Sequence, residues 1–307
     1  MIARHLHYLL VALLVARPGA FGATPGDLLR RAEEADKNVD YRGIKTATVA
    51  FGGRNAVATM KVIHLKPDKT RTIYFAPALL AGIIVIRDGP DGWKYCPKTE
   101  VWEPIGQCAM RCADVVRREA LRNYDVRLVG TERVAGREAY VIHALPRCGG
   151  EAAHRMWVDR QCYLVIGTQT LTGSGAVVRS SRYASLQINP PDIDPSLFEV
   201  RGKIKPAATR ASSPGFKVMK PSYVPSGYRL VATGYLSLNG CSCAHLQFAN
   251  GVNTISIFQH KACKQMPPRK IESKVTNVLT WARGGMEFTI MGDLPRPELQ
   301  KIADSTK

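Results

Sequence analysis

The chain has 307 residues, 45% of them hydrophobic and 22% charged. That balance excludes a disordered polymer and supplies enough apolar mass for about two domains. The formal charge is +18, but the basic residues are dispersed and not interleaved with stacking aromatics, so nucleic acid is not expected as a partner.

Taken in chain order, the first residues have the layout of a secretory signal peptide over 1–22. Arg4 precedes the apolar stretch Leu6–Ala16, which only His7 interrupts; Arg17-Pro18-Gly19 breaks it, and Ala20-Phe21-Gly22 offers small residues for cleavage. The mature chain is therefore expected in the periplasm, exported and soluble, and no later apolar run is long enough to span a bilayer. Thr24-Pro25-Gly26-Asp27 supplies a cap, a first-turn proline and an acid, and Leu28, Leu29, Ala32 and Ala35 recur at helical spacing, so a helix is expected to near Asn38. Strands are expected over Gly43–Phe51 and Val57–Leu65 around Gly52-Gly53, then over Arg71–Phe75, Ile83–Arg87 and Trp93–Cys96. Helical spacing returns over Met110–Arg122, and strands resume over Val126–Val129, Ala139–Ala144, Arg155–Val158, Tyr163–Leu171 and Ala176–Ile188. Lys203–Pro214, rich in Lys, Ala, Ser and Pro, reads as a linker. Beyond it, Gly227–Leu238, Cys243–Phe248, Thr254–His260 and Met286–Met291 read as strands, with turn signals at Asn239-Gly240 and Asn250-Gly251, and Pro297 opens a last helix. Antiparallel runs with inserted helices indicate an α+β fold. The expected division is 23–202, a linker at 203–215, and a smaller α+β domain over 216–307.

Eight cysteines in an exported chain read as disulfide candidates: Cys96, Cys108, Cys112, Cys148, Cys162, Cys241, Cys243 and Cys263. Five precede the linker and three follow it, so either one bond crosses between the halves or each half keeps a free thiol. Cys148–Cys162, and Cys263 with Cys241 or Cys243, are the pairs expected within each half. Cys241, Cys243 and His245 alternate on one strand face, and a hairpin at Asn250-Gly251 would bring His260 and Cys263 near them. That set is an alternative zinc or copper candidate to a plain disulfide. Cys108 and Cys112 lack the spacing of thiol oxidoreductases. No nucleophile elbow, phosphate loop or dinucleotide fingerprint is present, so an enzyme is not expected and no cofactor is implied. His64, His143 and His154 are scattered and read as structural. Phe75, Leu79, Leu80, Ile83, Val85, Trp93 and Trp102 are too apolar for a plain loop and form the candidate lining of a ligand cavity, with core packing as the competing reading.

Three blocks carry a resemblance to the RseB/MucB family of periplasmic regulators. Asp40-Tyr41-Arg42-Gly43 with Met60-Lys61-Val62-Ile63-His64 is similar to its opening hairpin. Arg133-Val134-Ala135-Gly136-Arg137 and Arg155-Met156-Trp157-Val158-Asp159 resemble its central signatures. His245–Gly251, Ser256-Ile257-Phe258 and Met291–Pro295 resemble its tail, with Asn250 where an acid is usual. The resemblance implies a curved antiparallel half-barrel like that of the lipoprotein carrier LolA, joined to a smaller domain. It also implies binding to the periplasmic part of an RseA-like anti-sigma factor, with lipoprotein, acyl lipid or anionic glycolipid as a sensed ligand. A LolA-like lipid or lipoprotein carrier and an envelope redox or metal protein are the alternatives.

Overall fold

The computed structural model describes residues 23–51, 54–105, 121–147, 152–205, 213–238, 241–262 and 277–307. The signal-peptide segment, most of the Met110–Arg122 helix and the Asn239-Gly240 turn lie outside the described residues. Two open sheets dominate. The first has twelve strands in the order β12-β6-β5-β4-β3-β2-β1-β11-β10-β9-β8-β7. Its strands are β1 (Tyr41–Phe51), β2 (Arg54–Leu65), β3 (Lys69–Ala76), β4 (Ile84–Asp88), β5 (Asp91–Cys96), β6 (Val101–Pro104), β7 (Tyr124–Val134), β8 (Arg137–Pro146), β9 (Ala153–Asp159), β10 (Val165–Leu171), β11 (Val177–Ile188) and β12 (Lys203–Ile204). All neighbours pair antiparallel except β12 with β6. The second sheet has the order β13-β14-β15-β17-β16: β13 (Arg229–Leu238), β14 (Cys241–Ala249), β15 (Thr254–Lys261), β16 (Asn277–Arg283) and β17 (Met286–Gly292).

Among the described residues helices are few and strands dominate, so the α+β expectation gives way to a strand-rich fold. Helix α1 (Pro25–Ala35) starts where Thr24 and Asp27 cap each other, the Thr24 hydroxyl accepting from the Asp27 N–H at 3.1 Å. Its buried Leu28 packs on Ile142 and Val158 of the first sheet. Helix α2 (Arg296–Ser305) buries Leu299, Ile302 and Ala303 against Leu246, Ile255, Ile257 and Ile290 of the second sheet. Among the described residues no helix is long and apolar enough to cross a membrane.

The linker expected from Lys203 begins later than composition indicated. Lys203 and Ile204 pair with Val101 and Trp102, and the Lys205 N–H donates to the Trp102 carbonyl at 2.8 Å. The chain thus leaves the first sheet along its outer strand. Strands β6 and β16 had no counterpart in the sequence reading.

The first sheet is rolled at its β7 end. Glu132 of β7 and Arg182 of β11 approach to 3.9 Å although β8, β9 and β10 lie between them. At about 4.8 Å per strand, a flat sheet would hold their backbones about 19 Å apart. The register places both side chains on one face: Glu132 opposes Ala139, Val141 opposes Trp157, Trp157 opposes Gly167, and Gly167 opposes Arg182. That face is therefore concave.

Candidate functional site

The seven apolar candidates do not share one surface. Ile84 and Ile86 oppose Tyr95 and Trp93, and Tyr95 opposes Trp102, so strand alternation puts Trp93 and Trp102 on one face. Phe198, Leu197, Ile193 and Val200 pack against that face, and the Trp102 indole donates to the Arg201 carbonyl at 2.9 Å. Trp102 is buried in that core and Trp93 is half-buried against it, as the core-packing reading expects. Ile83 precedes β4 and Val85 occupies the opposite face; both are half-buried, as is Leu80. Phe75 and Leu79 stand at the β3–β4 turn with 50% and 77% of their surface exposed, and they are the members free to meet a ligand.

The thiols are also redistributed. Cys241 is disulfide-bonded, while Cys96, Cys162 and Cys243 are free. The expected Cys148–Cys162 bond is corrected: Cys162 sits beside Asp159, where its thiol donates to the carboxylate at 3.3 Å, and burial pushes that thiol up to about 11. Cys108, Cys112, Cys148 and Cys263 lie outside the described residues. The hairpin expected at Asn250-Gly251 does set Cys243 opposite His260. Yet His245 stacks on Phe258 at 4.3 Å, and His260 hydrogen-bonds the Lys261 carbonyl at 2.9 Å. With Cys241 oxidised, its sulfur is no thiolate ligand, and the described residues contain no cluster of three metal-binding side chains.

The two central signatures meet in one buried ion pair. Ala135 and Gly136 adopt positive φ, 50° and 76°, and make the tight turn from β7 to β8. This turn sets Arg137 to reach Asp159, whose side chain is 1% exposed, at 2.5 and 3.1 Å. The same carboxylate accepts the N–H groups of Gln161 and Cys162, each at 2.9 Å. Burial alone would raise the Asp159 carboxyl, but the Arg137 fork and these N–H donors outweigh it and hold the group below the usual range.

On the concave face of the roll, Trp157 is buried beneath two guanidiniums, Arg182 at 4.5 Å and Arg155 at 5.9 Å from the ring. Gly167 opens the space: a Cβ there would lie 3.0 Å from Trp157 and 3.2 Å from Arg182. The indole N–H donates to Glu132 at 2.8 Å, and Arg155 Nε donates to His143 Nε2 at 2.6 Å. Desolvation, with Arg155 beside it, lowers the His143 pKa, so the ring is held neutral as an acceptor.

The two sheets join at a buried polar corner. Asn253 donates to the Tyr124 hydroxyl at 2.7 Å, and its amide oxygen lies 3.0 Å from His154 Nε2. Asn250, inside the tail signature, accepts the N–H groups of Val252 and Asn253 on its side chain, while Asn123 donates to its carbonyl at 2.9 Å. Desolvation lowers the His154 pKa despite the Asn253 hydrogen bond.

Comparison with known proteins bears on the whole arrangement. Residues 108–209 match the profile of the MucB/RseB N-terminal domain. The sigma-E factor regulatory protein RseB of Salmonella typhimurium is 25% identical over 191 residues, 60% of this chain and 59% of the relative. The chain thus spans 59% of the length of that relative in the alignment. The sigma factor AlgU regulatory protein MucB of Pseudomonas aeruginosa is 22% identical over 97% of this chain and 96% of its own. The Pseudomonas aeruginosa MucA/MucB complex structure contains a chain that superposes with a TM-score of 0.71 at 19% identity, over 93% of this chain and 99% of that one. The fold is that of MucB, and residues 108–209 are similar to the MucB/RseB N-terminal domain.

Within a MucB/RseB fold, the recognisable blocks divide by role. Arg137 and Asp159 are structural, and His64 is too: its ring sits between the Asp36 carbonyl and the Thr70 hydroxyl, stacked on Tyr41 at 4.7 Å. Neither the Arg155–Arg182 group nor the Tyr124–Asn253 group is visible as such in the sequence. The signal available was the alternation of Arg155 and Trp157 within one signature; the partner strand could not be read from it.

Proposed function

We propose that this protein is a non-enzymatic periplasmic regulator that binds the periplasmic segment of an RseA-like anti-sigma factor. The observation that carries this reading is the likeness to MucB along nearly the whole chain, both sheets included, in a structure where MucB is in complex with MucA. In this reading the two sheets are two domains, 23–202 and 216–307, and residues 1–22 direct export. The concave cationic face and the polar corner give a regulator two places where a partner could act on the angle between them.

Sensing of acyl lipid or lipoprotein is the finer part of the proposal, and exposed Phe75 and Leu79 support it. The test is co-purification of the mature chain from envelope extract. An anti-sigma factor with one membrane span should be captured stoichiometrically, and mass spectrometry should find acyl lipid released from the same preparation. Capture of lipid with no anti-sigma factor would shift the reading to a LolA-like carrier.

A further inference from the structure

The concave face of β7–β11 carries more positive charge than it neutralises. Asp125 is taken by Arg127, and Glu132 is shared between the Trp157 indole and Arg182. Arg155 has no carboxylate partner among the described residues: its Nε is spent on a neutral imidazole and its plane lies toward the indole, which leaves its two terminal nitrogens unused. Gln169 stands directly opposite Arg155 on β10, and its Oε1 is shut off from water with no hydrogen-bond partner among the described residues. Two residues further along the same face, toward the open strand ends, Leu145 and Val177 keep 39% and 49% of their surface exposed. The hollow therefore offers a guanidinium edge and an apolar rim at its surface, and beneath them an orphan acceptor that a rotation of the Gln169 amide would bring out.

These three features specify an occupant. A guanidinium edge in a partly desolvated site is matched by a planar carboxylate. An acceptor excluded from water requires an N–H or O–H donor. An apolar rim requires neighbouring apolar side chains. We propose that the hollow receives an Asp or Glu side chain of an extended peptide, with Arg155 and Arg182 gripping the carboxylate and a peptide N–H of the same segment donating to Gln169. A free fatty acid would satisfy the rim and the guanidiniums but brings no donor for Gln169. This inference rests on the reading of the chain as an anti-sigma-factor binder, and its peptide is the periplasmic segment of that partner.

The test is titration of the mature full chain with the periplasmic segment of the anti-sigma factor from the same genome, followed by fluorescence anisotropy. Arg155→Gln and Arg182→Gln should each weaken binding about tenfold or more and reduce its salt dependence, while Arg201→Gln, exposed and on another surface, should leave it within twofold. On the peptide side, exchanging each acid for its amide should find one position with a similar tenfold loss, and that loss should vanish in the Arg155→Gln background. The peptide scan uses the unaltered protein, so it decides the matter even if an arginine variant fails to fold. Absence of binding by the unaltered chain would sink the proposed function and this inference together. Binding that survives both arginine exchanges, or a scan with no sensitive acid, would overturn the inference alone. So would displacement of the segment by oleic acid that depends on Arg155 while no acid of the segment matters.

Discussion

Replacing Asp159 by alanine removes the acceptor for the Arg137 fork and two backbone N–H groups in a site where the carboxylate is 1% exposed. Breaking a buried pair from one side leaves an uncompensated charge, which costs about 3–5 kcal/mol. Arg137 keeps 22% exposure and can recover some water, so the lower part of that range, about 3 kcal/mol, is expected. For a chain of this size that corresponds to a fall in Tm of about 6–12 °C. Urea denaturation of the mature chain, followed by tryptophan fluorescence, measures it, and a double-mutant cycle with Arg137→Met isolates the pair. A coupling of about 2 kcal/mol is expected. The pH dependence has a definite sign. The folded pKa of Asp159 lies below its unfolded value, so the stabilisation is complete above about pH 4 and is lost as pH falls through the depressed folded value. Asp159→Ala should flatten that acid limb. A loss below about 1 kcal/mol, with Arg137→Met adding independently, would refute the reasoning.

Three further outcomes follow from other sites. Gly227 has φ +89°, and a Cβ there would lie 2.4 Å from the Asn123 side-chain oxygen, so Gly227→Ala should strain the corner between the sheets; faster proteolysis around Asn123 and Gly227 would report it. The His154 pKa is depressed in the folded chain, so its contribution is complete above about pH 6.5 and declines as pH falls through the folded value; His154→Gln should remove this part of the stability–pH curve. Hydrogen bonds from Thr99 and the Lys98 N–H lower the Cys96 pKa, whereas burial raises that of Cys243, so peptide mapping after iodoacetamide should find Cys96 labelled in the native chain and Cys243 only after unfolding.

Local structure was legible where a residue type dictates it. Thr24 with Asp27 fixed the start of α1, and Asn250-Gly251 marked the turn between β14 and β15. Alternation located most strands to within a few residues. What it could not supply was pairing between distant segments: β1 lies between β2 and β11, so Tyr41 meets both His64 and Ile188. The apolar run from Phe75 to Trp102 was visible, yet its division into core and surface depends on which face the Pro195–Phe198 turn covers. The Arg137–Asp159 pair was inside quoted signatures, but its partners are 22 residues apart and joined only by the β8–β9 register. The short strands β6 and β16 were missed because four to seven residues with mixed polarity carry too little period to register.

The chain quits the first sheet at β12, one of its two outermost strands, and the second sheet is fastened beside the start of β7, the other. Met219 and Lys220 are already tied to the second sheet's side, the Met219 N–H donating to Gln259 and Lys220 exchanging backbone hydrogen bonds with Lys307. The chain from Lys205 to Met219 can span at most about 50 Å. Laid flat, the first sheet would itself be about 50 Å wide at the usual strand spacing. Spreading the roll would therefore exhaust that reach, and the second sheet would have to give up either its hold on Met219 and Lys220 or its corner beside β7.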